Sequence, residues 1–197
     1  MKKHLTIVTI MLCLIFPLAS FAEAPLDTVK GNADKVLDVL RDPSLKSESN
    51  KKIKKEKIRA IADQMFDFTE LSKRTLAVNW RRFTPEQQSE FVSLFKNLLA
   101  DTYADRILAY TDEKIVFTKE VPLTDKTVEV QSTVIRKTQE VPIYYRVMNE
   151  NGSWLVYDVV IEGVSLVNNY RSQFREILSN KPPTYLLETL RKKVGKA

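Results

Sequence analysis

The chain has 197 residues, 44% of them hydrophobic and 28% charged, with 31 Lys and Arg against 25 Asp and Glu for a formal charge of +6. Its single cysteine, Cys13, and single histidine, His4, both fall in the first two dozen residues. A chain relieved of that segment has neither residue type, which excludes a cysteine nucleophile, a Ser-His-Asp relay, a His/Cys zinc site and a disulfide, and leaves only carboxylate, Lys or Tyr chemistry.

Residues 1–22 have three zones: a basic start at Lys2 and Lys3, an apolar run from Leu5 to Leu18, and the small-residue exit Ser20-Phe21-Ala22. This is the pattern of a secretory signal peptide and predicts cleavage after Ala22. The 14-residue run is short of the roughly 20 residues that a permanent membrane span needs, and no later stretch comes close. Cys13 follows the bulky Leu12 inside that run, so it lacks the context of a lipid-modified cysteine. Residues 23–197 are expected to form one exported domain, long enough for a packed core and free of linkers and repeats. Without Lys2 and Lys3 it carries 29 basic residues against 25 acidic. That excess suits solubility, anionic lipid or an acidic docking partner; a protein that leaves the cytoplasm is not expected to meet nucleic acid.

From Leu26 to Arg41, Val29, Val36, Leu37 and Leu40 recur at helical spacing, with Pro43 just beyond. A second helix is predicted from Asn50 to Gln64. Ile58, Ile61, Ala62 and Met65 mark one face of it, and Lys51, Lys52, Lys54, Lys55 and Arg59 occupy most of the rest. Those cations read as a solvated face or, alternatively, as a landing patch for headgroups or a partner. Asp67 followed by Glu70 predicts an N-cap for a short third helix through Leu71, Leu76 and Val78. Thr84-Pro85-Glu86-Gln87 combines a capping hydroxyl, a proline at N1 and a glutamine at N3, and opens the longest periodic stretch: Phe91, Leu94, Phe95, Leu98, Leu99, Thr102, Tyr103, Ile107 and Tyr110.

After Asp112 the period changes to 2, and Ile115 to Val121, Thr127 to Ile135, Val141 to Met148 and Trp154 to Ile161 read as strands. Short connections and the Asn151-Gly152 turn predict a four-stranded antiparallel meander. Helix returns from Val164 to Ser179 and, after Pro182-Pro183, from Tyr185 to Val194. The expected fold class is α+β, the sheet packed against several helices.

Pairing the last two strands through Asn151-Gly152 sets Val147 opposite Val156, Tyr145 opposite Asp158 and Ile143 opposite Val160. A turn near Thr138-Gln139 adds Val128, Val130 and Val134 to that apolar face. The other face carries Glu129, Gln131, Thr133 and Arg146 among Tyr144, Tyr157, Val159 and Ile161. The long helix is expected to bury its stripe on the apolar face. This pattern alone fits a filled core as well as a hollow one.

The segment from Trp154 through Asp158, Glu162-Gly163 and Ser165 to Val167, followed by Asn169-Tyr170-Arg171 and Phe174, resembles the signature of the toluene-tolerance family of periplasmic phospholipid-binding proteins, the MlaC type. Phe66-Asp67-Phe68, Trp80-Arg81, Thr84-Pro85-Glu86-Gln87, Phe91, Phe95, Leu98 and Tyr103 resemble the family's central helical region. The chain departs from the pattern at Ala77-Val78-Asn79, where a glycine is expected after Leu76, a difference confined to the local helix end. The resemblance implies a periplasmic carrier without a cofactor, with an apolar cavity between sheet and helices that holds acyl chains. It also implies two partners, an outer-membrane lipoprotein-porin complex and an inner-membrane ABC transporter with a lipid-binding ring, and a role in outer-membrane lipid asymmetry. On strand phase, Val128, Val130, Tyr145, Val147, Val156 and Val160 are the candidate lipid-contacting residues of the sheet, and Phe95, Leu98, Leu99 and Tyr103 those of the helix. Competing readings are a periplasmic chaperone or adaptor for apolar segments, a carrier of small apolar solvents, and an enzyme using Asp158 beside Tyr145 as base and hydroxyl donor.

Overall fold

The computed structural model describes residues 24–110, 113–136 and 139–194; the expected leader, and the turn at Thr138, lie outside them. The chain runs through α1 (Pro25–Arg41), α2 (Lys51–Met65), α3 (Phe68–Leu76) and α4 (Pro85–Leu108). It continues through β1 (Lys114–Thr124), β2 (Thr127–Arg136), β3 (Gln139–Glu150), β4 (Ser153–Ile161) and β5 (Val164–Ser165), and closes with α5 (Leu166–Asn180) and α6 (Pro183–Val194). Among the described residues no helix is long and apolar enough to cross a membrane.

The helix starts follow the sequence signals. Asp67 Oδ1 accepts from Glu70 N at 2.8 Å and opens α3. At α4, Gln87 N donates to Thr84 Oγ1 and Thr84 N donates back to Gln87 Oε1, a reciprocal pair that satisfies two otherwise unpaired amides. Asn151 and Gly152 take φ values of 52° and 89°, the left-handed pair that a two-residue hairpin requires.

The sheet has five strands in the order β1-β2-β3-β4-β5, not the four expected. A second left-handed pair, Glu162 and Gly163, turns the chain back so that Val164 and Ser165 pair with Ile161 and Val160 before α5 begins.

β4 departs from the extrapolated register at one point. Val147 pairs with Val156 as expected, but Arg146 pairs with Asp158, leaving Tyr157 as an extra residue in β4. Such a bulge exchanges the two faces for every residue beyond it. Tyr145 therefore faces Val159 instead of Asp158, and Ile143 faces Ile161 instead of Val160. A second irregularity between Phe117 and Lys119 in β1 acts likewise, bringing Glu120 opposite Val130.

Two cores result. In the helical one, Leu71, Phe91, Phe95, Phe174 and Leu186 are almost fully buried, and Phe91, Phe95, Tyr170 and Phe174 meet ring to ring at 5.0–5.7 Å. The other joins Val130, Val147, Val156 and Val159 of the sheet to Val29 of α1 and Met65 at the end of α2. The long helix α4 packs on α6 and α3, and it is α1 that crosses β1 and β2, contrary to the expectation that α4 would cover the sheet. Aromatic residues on α4 close on Tyr170 and Phe174 of α5, while α1 lies across part of the sheet face. Phe66, between α2 and α3, packs against both cores and bridges to Val156, where Asp67 N donates to the Val156 carbonyl at 3.0 Å.

At Ala77, in the stretch where the resemblance leads to an expected glycine, the backbone takes φ 51° and ψ −124°, a combination strained for a residue with a Cβ. Replacing Ala77 with Gly is expected to raise unfolding stability by about 1 kcal/mol in chemical denaturation, because relief of strain exceeds the entropic cost of glycine.

Candidate functional site

The sheet face beneath α1 is apolar and incompletely covered. Around the buried Val130, Val147, Val156 and Val159 lie Phe117, Val128, Ile143, Tyr145, Trp154 and Ile161, each only partly buried, with Leu26 of α1 and Leu166 of α5 at the margins. The Phe117 and Tyr145 rings stack at 6.4 Å. Polar groups on this face are few and held. Ser132 is fully buried and donates to the Ile143 carbonyl at 2.7 Å, and Glu120 accepts from Leu26 N at 2.6 Å, tying the start of α1 to β1. Burial pushes the Tyr145 hydroxyl up to about 12, so it stays neutral at any physiological pH.

The opposite face carries an ionic ladder. Arg146 Nε lies 3.1 Å from Glu129 Oε2 and its guanidinium reaches Asp158 Oδ2 at 3.2 Å, while Gln131 donates to Glu129 at 2.9 Å. Asp158, 2% exposed, also accepts from Ser165 Oγ at 2.6 Å and from Val167 N at 3.0 Å, in the first turn of α5. Five elements thus converge on this ladder: β2, β3, β4, β5 and α5. Beside it, the Arg74 guanidinium of α3 lies 4.0 Å from the centre of the Tyr157 ring. A groove of about 640 Å³ passes Phe66, Phe68, Lys73, Met148 and Leu155 at the hairpin end.

Of the residues singled out from the sequence, Val128, Val130, Tyr145, Val147 and Val156 do come together on one face. Val160 does not: the bulge at Tyr157 sends it to the side of Asp158, and Val159 takes its place. Phe95 and Leu99 are buried in the helical core, with Leu98 and Tyr103 packed against it. Burial also raises the Tyr103 hydroxyl, with Tyr170 as a second contributor. The helical wall over the sheet comes instead from Leu26, Val29, Met65 and Phe66. The pairing of Asp158 with Tyr145 that an acid-base site would need is absent, because the two lie on opposite faces and the carboxylate is occupied by Arg146, Ser165 and Val167. Polarity was the signal that could have placed Asp158. It belongs with Glu129, Gln131 and Arg146, and only a bulge brings it there.

This architecture has close counterparts. Residues 30–192 match the family model described as MlaC protein. The Toluene tolerance protein ttg2D of Pseudomonas putida is 27% identical over 172 residues, 86% of this chain and 80% of the relative. The Intermembrane phospholipid transport system binding protein MlaC of Haemophilus influenzae is 23% identical over 188 residues, 92% of this chain and 88% of the relative. Among solved structures, the phospholipid-binding protein from Ralstonia solanacearum, in complex with a phospholipid, superposes with a TM-score of 0.77 at 28% identity, over 88% of this chain and 98% of its own.

Two outcomes follow from the geometry. Spectrophotometric titration is expected to show one tyrosine ionising near pH 12, absent from Tyr145→Phe. Because the folded state disfavours this phenolate, its contribution to stability is complete below the unfolded value of about 10 and is lost as pH rises toward the folded value. Removing the buried carboxylate in Asp158→Ala is expected to cost about 3 kcal/mol in chemical denaturation, since Arg146 loses a partner and the first turn of α5 loses its acceptor.

Proposed function

We propose, from the premise that the chain belongs to the MlaC protein family, that it is a phospholipid carrier whose acyl chains lie against the sheet face beneath α1. The observation that carries this reading is the ring of partly accessible apolar side chains around a buried valine centre, whose polar groups include the neutral Tyr145 hydroxyl and the hydrogen-bonded Ser132 and Glu120. Acyl chains need such a surface and no catalytic group. The solved Ralstonia relative, in complex with a phospholipid, supports the same ligand class.

The energetics explain why a protein is needed. A diacyl lipid has about 30 tail methylenes, and at about 0.8 kcal/mol each their exposure to water would cost on the order of 20 kcal/mol. An apolar protein surface replaces the bilayer as solvent for the tails, so transfer becomes nearly neutral while escape into water stays prohibitive. Delivery therefore requires contact with a membrane or a membrane complex. In this reading the chain works in the periplasm after loss of its leader. It moves lipid between an outer-membrane lipoprotein-porin complex and an inner-membrane ABC transporter with a lipid-binding ring, and so maintains outer-membrane lipid asymmetry.

The test is to purify the chain from a periplasmic extract and identify bound species by native and lipid mass spectrometry. About one phospholipid per chain is expected. Ile143→Gln and Ile161→Gln, on the partly accessible surface, are expected to lower occupancy at least about fivefold while the circular dichroism spectrum is retained, each placing an amide against the tails. A folded chain that came away empty and took no lipid from vesicles would overturn the reading, and peptide in place of lipid would establish a chaperone.

A further inference from the structure

The cations between Asn50 and Gln64 read from the sequence as either a solvated face or a landing patch, and the fold divides that run in two. Along one side of α2, cations are consumed in pairing with α4: Arg59 with Asp101 at 2.8 Å and Lys55 with Asp105 at 3.6 Å, while Lys96 of α4 reaches back to Asp63 at 2.6 Å. These pairs set the first turns of α2 beside the last turn of α4. At that end a cleft of about 340 Å³ opens, with Leu45 and Leu108 as apolar wall and Lys46, Lys51 and Lys54 around it.

The charges of the cleft are unevenly matched. Its two acids are Glu48, 3.2 Å from Lys51 and largely exposed, and Asp105, already held by Lys55. Lys54 donates to the Leu40 carbonyl at 3.5 Å and lies within the electrostatic reach of Asp42, without a close ion pair among the described residues. The Lys46 ammonium has no ion pair or hydrogen bond among the described residues, and neither has that of Lys52 in the same turn of α2. Two isoleucines stand out at the same end of the molecule: Ile53 in the first turn of α2, 46% exposed, and Ile107 in the last turn of α4, 37% exposed. Here exposed branched aliphatics share one end of the α2/α4 pair with ammonium groups that make no ion pair among the described residues. They fit a bilayer interface, where the isoleucines enter the headgroup layer and the lysines meet lipid phosphate.

We propose that this end of the α2/α4 pair is the surface by which the protein docks on an anionic bilayer, with one acidic headgroup seated in the cleft among Lys46, Lys51 and Lys54. The inference rests on the carrier reading for its purpose, because a carrier exchanges lipid at a membrane or at a complex embedded in one. It concerns a different surface from the one that holds the tails. Docking by this end leaves the sheet face beneath α1 intact as a separate container.

The test is co-flotation of the purified protein with vesicles of phosphatidylglycerol mixed with phosphatidylethanolamine, against vesicles of phosphatidylcholine. Binding to the anionic vesicles is expected to be at least about tenfold tighter and to be lost near 0.5 M salt. The double charge reversal Lys46→Glu with Lys51→Glu, both on exposed side chains, is expected to abolish the preference. Ile53→Ser with Ile107→Ser is expected to weaken binding several-fold without changing the preference. Equal binding of wild type to both vesicle types, or unchanged binding after charge reversal, would overturn the proposal. So would a cleft that takes inorganic phosphate, seen as shifts of the Lys46 and Lys51 resonances, while anionic vesicles are ignored. Lipid carried per chain, measured in the same charge-reversed protein, is expected to stay at the wild-type level. A protein that docks on anionic vesicles yet carries no lipid would leave this proposal standing and sink the carrier reading.

Discussion

Asp158 is a carboxylate with almost no contact with water, and a buried carboxylate is tolerated only when its charge is matched and its oxygens are filled. Arg146, Ser165 Oγ and Val167 N meet both demands. All three lie on the side of the sheet away from α1, so β4 must present position 158 there, and it does so by adding Tyr157 as an extra residue. Every residue of β4 after the bulge takes its orientation from this requirement. Val159 and Ile161 join the apolar face because Asp158 cannot. The same interaction seats the first turn of α5, and through α5 it links the sheet to Tyr170 and Phe174 in the helical core.

The division into two cores is a division of labour. Aromatic side chains on α4 and α5 close on one another in edge-on and tilted contacts, and with α6 they form a tightly filled body. The sheet core has a different composition, four valines at the centre and larger side chains left partly open around them. A small β-branched floor with a partly accessible rim leaves apolar surface available to a ligand, whereas the aromatic core does not. Phe66 packs against both, and the Asp67 N to Val156 carbonyl bond fixes the connector to the sheet edge.

Much of this was legible in the residues. Thr84 and Gln87 marked the start of α4, Asp67 and Glu70 that of α3, and Asn151-Gly152 the hairpin, because each signal acts over a few residues and depends on no distant contact. Strand alternation placed Val128, Val130, Tyr145 and Val147 on one face for the same reason. Alternation breaks where tertiary demand inserts a residue, so Val160 and Val159 exchanged roles, and Asp158 moved from Tyr145 to Arg146. Nor can an apolar stripe name its partner. Phe95 and Leu99 showed that α4 would be buried, but whether against sheet or helices depended on α1 and α5, whose own stripes were equally anonymous. The departure at Ala77-Val78-Asn79 from the expected glycine could be seen in the sequence, while the positive φ at Ala77 could not.

The central claim is that acyl chains contact one face of the sheet and not the other. The most direct measurement is methyl NMR of the protein loaded with a phospholipid that carries a nitroxide on one acyl chain. The account predicts strong broadening of the Ile143, Ile161 and Val128 methyls, with Val160 and Val121 on the opposite face, and Leu186 in the helical core, affected little. Broadening centred on Val160 or Leu186, with Ile143 and Ile161 left sharp, would contradict it.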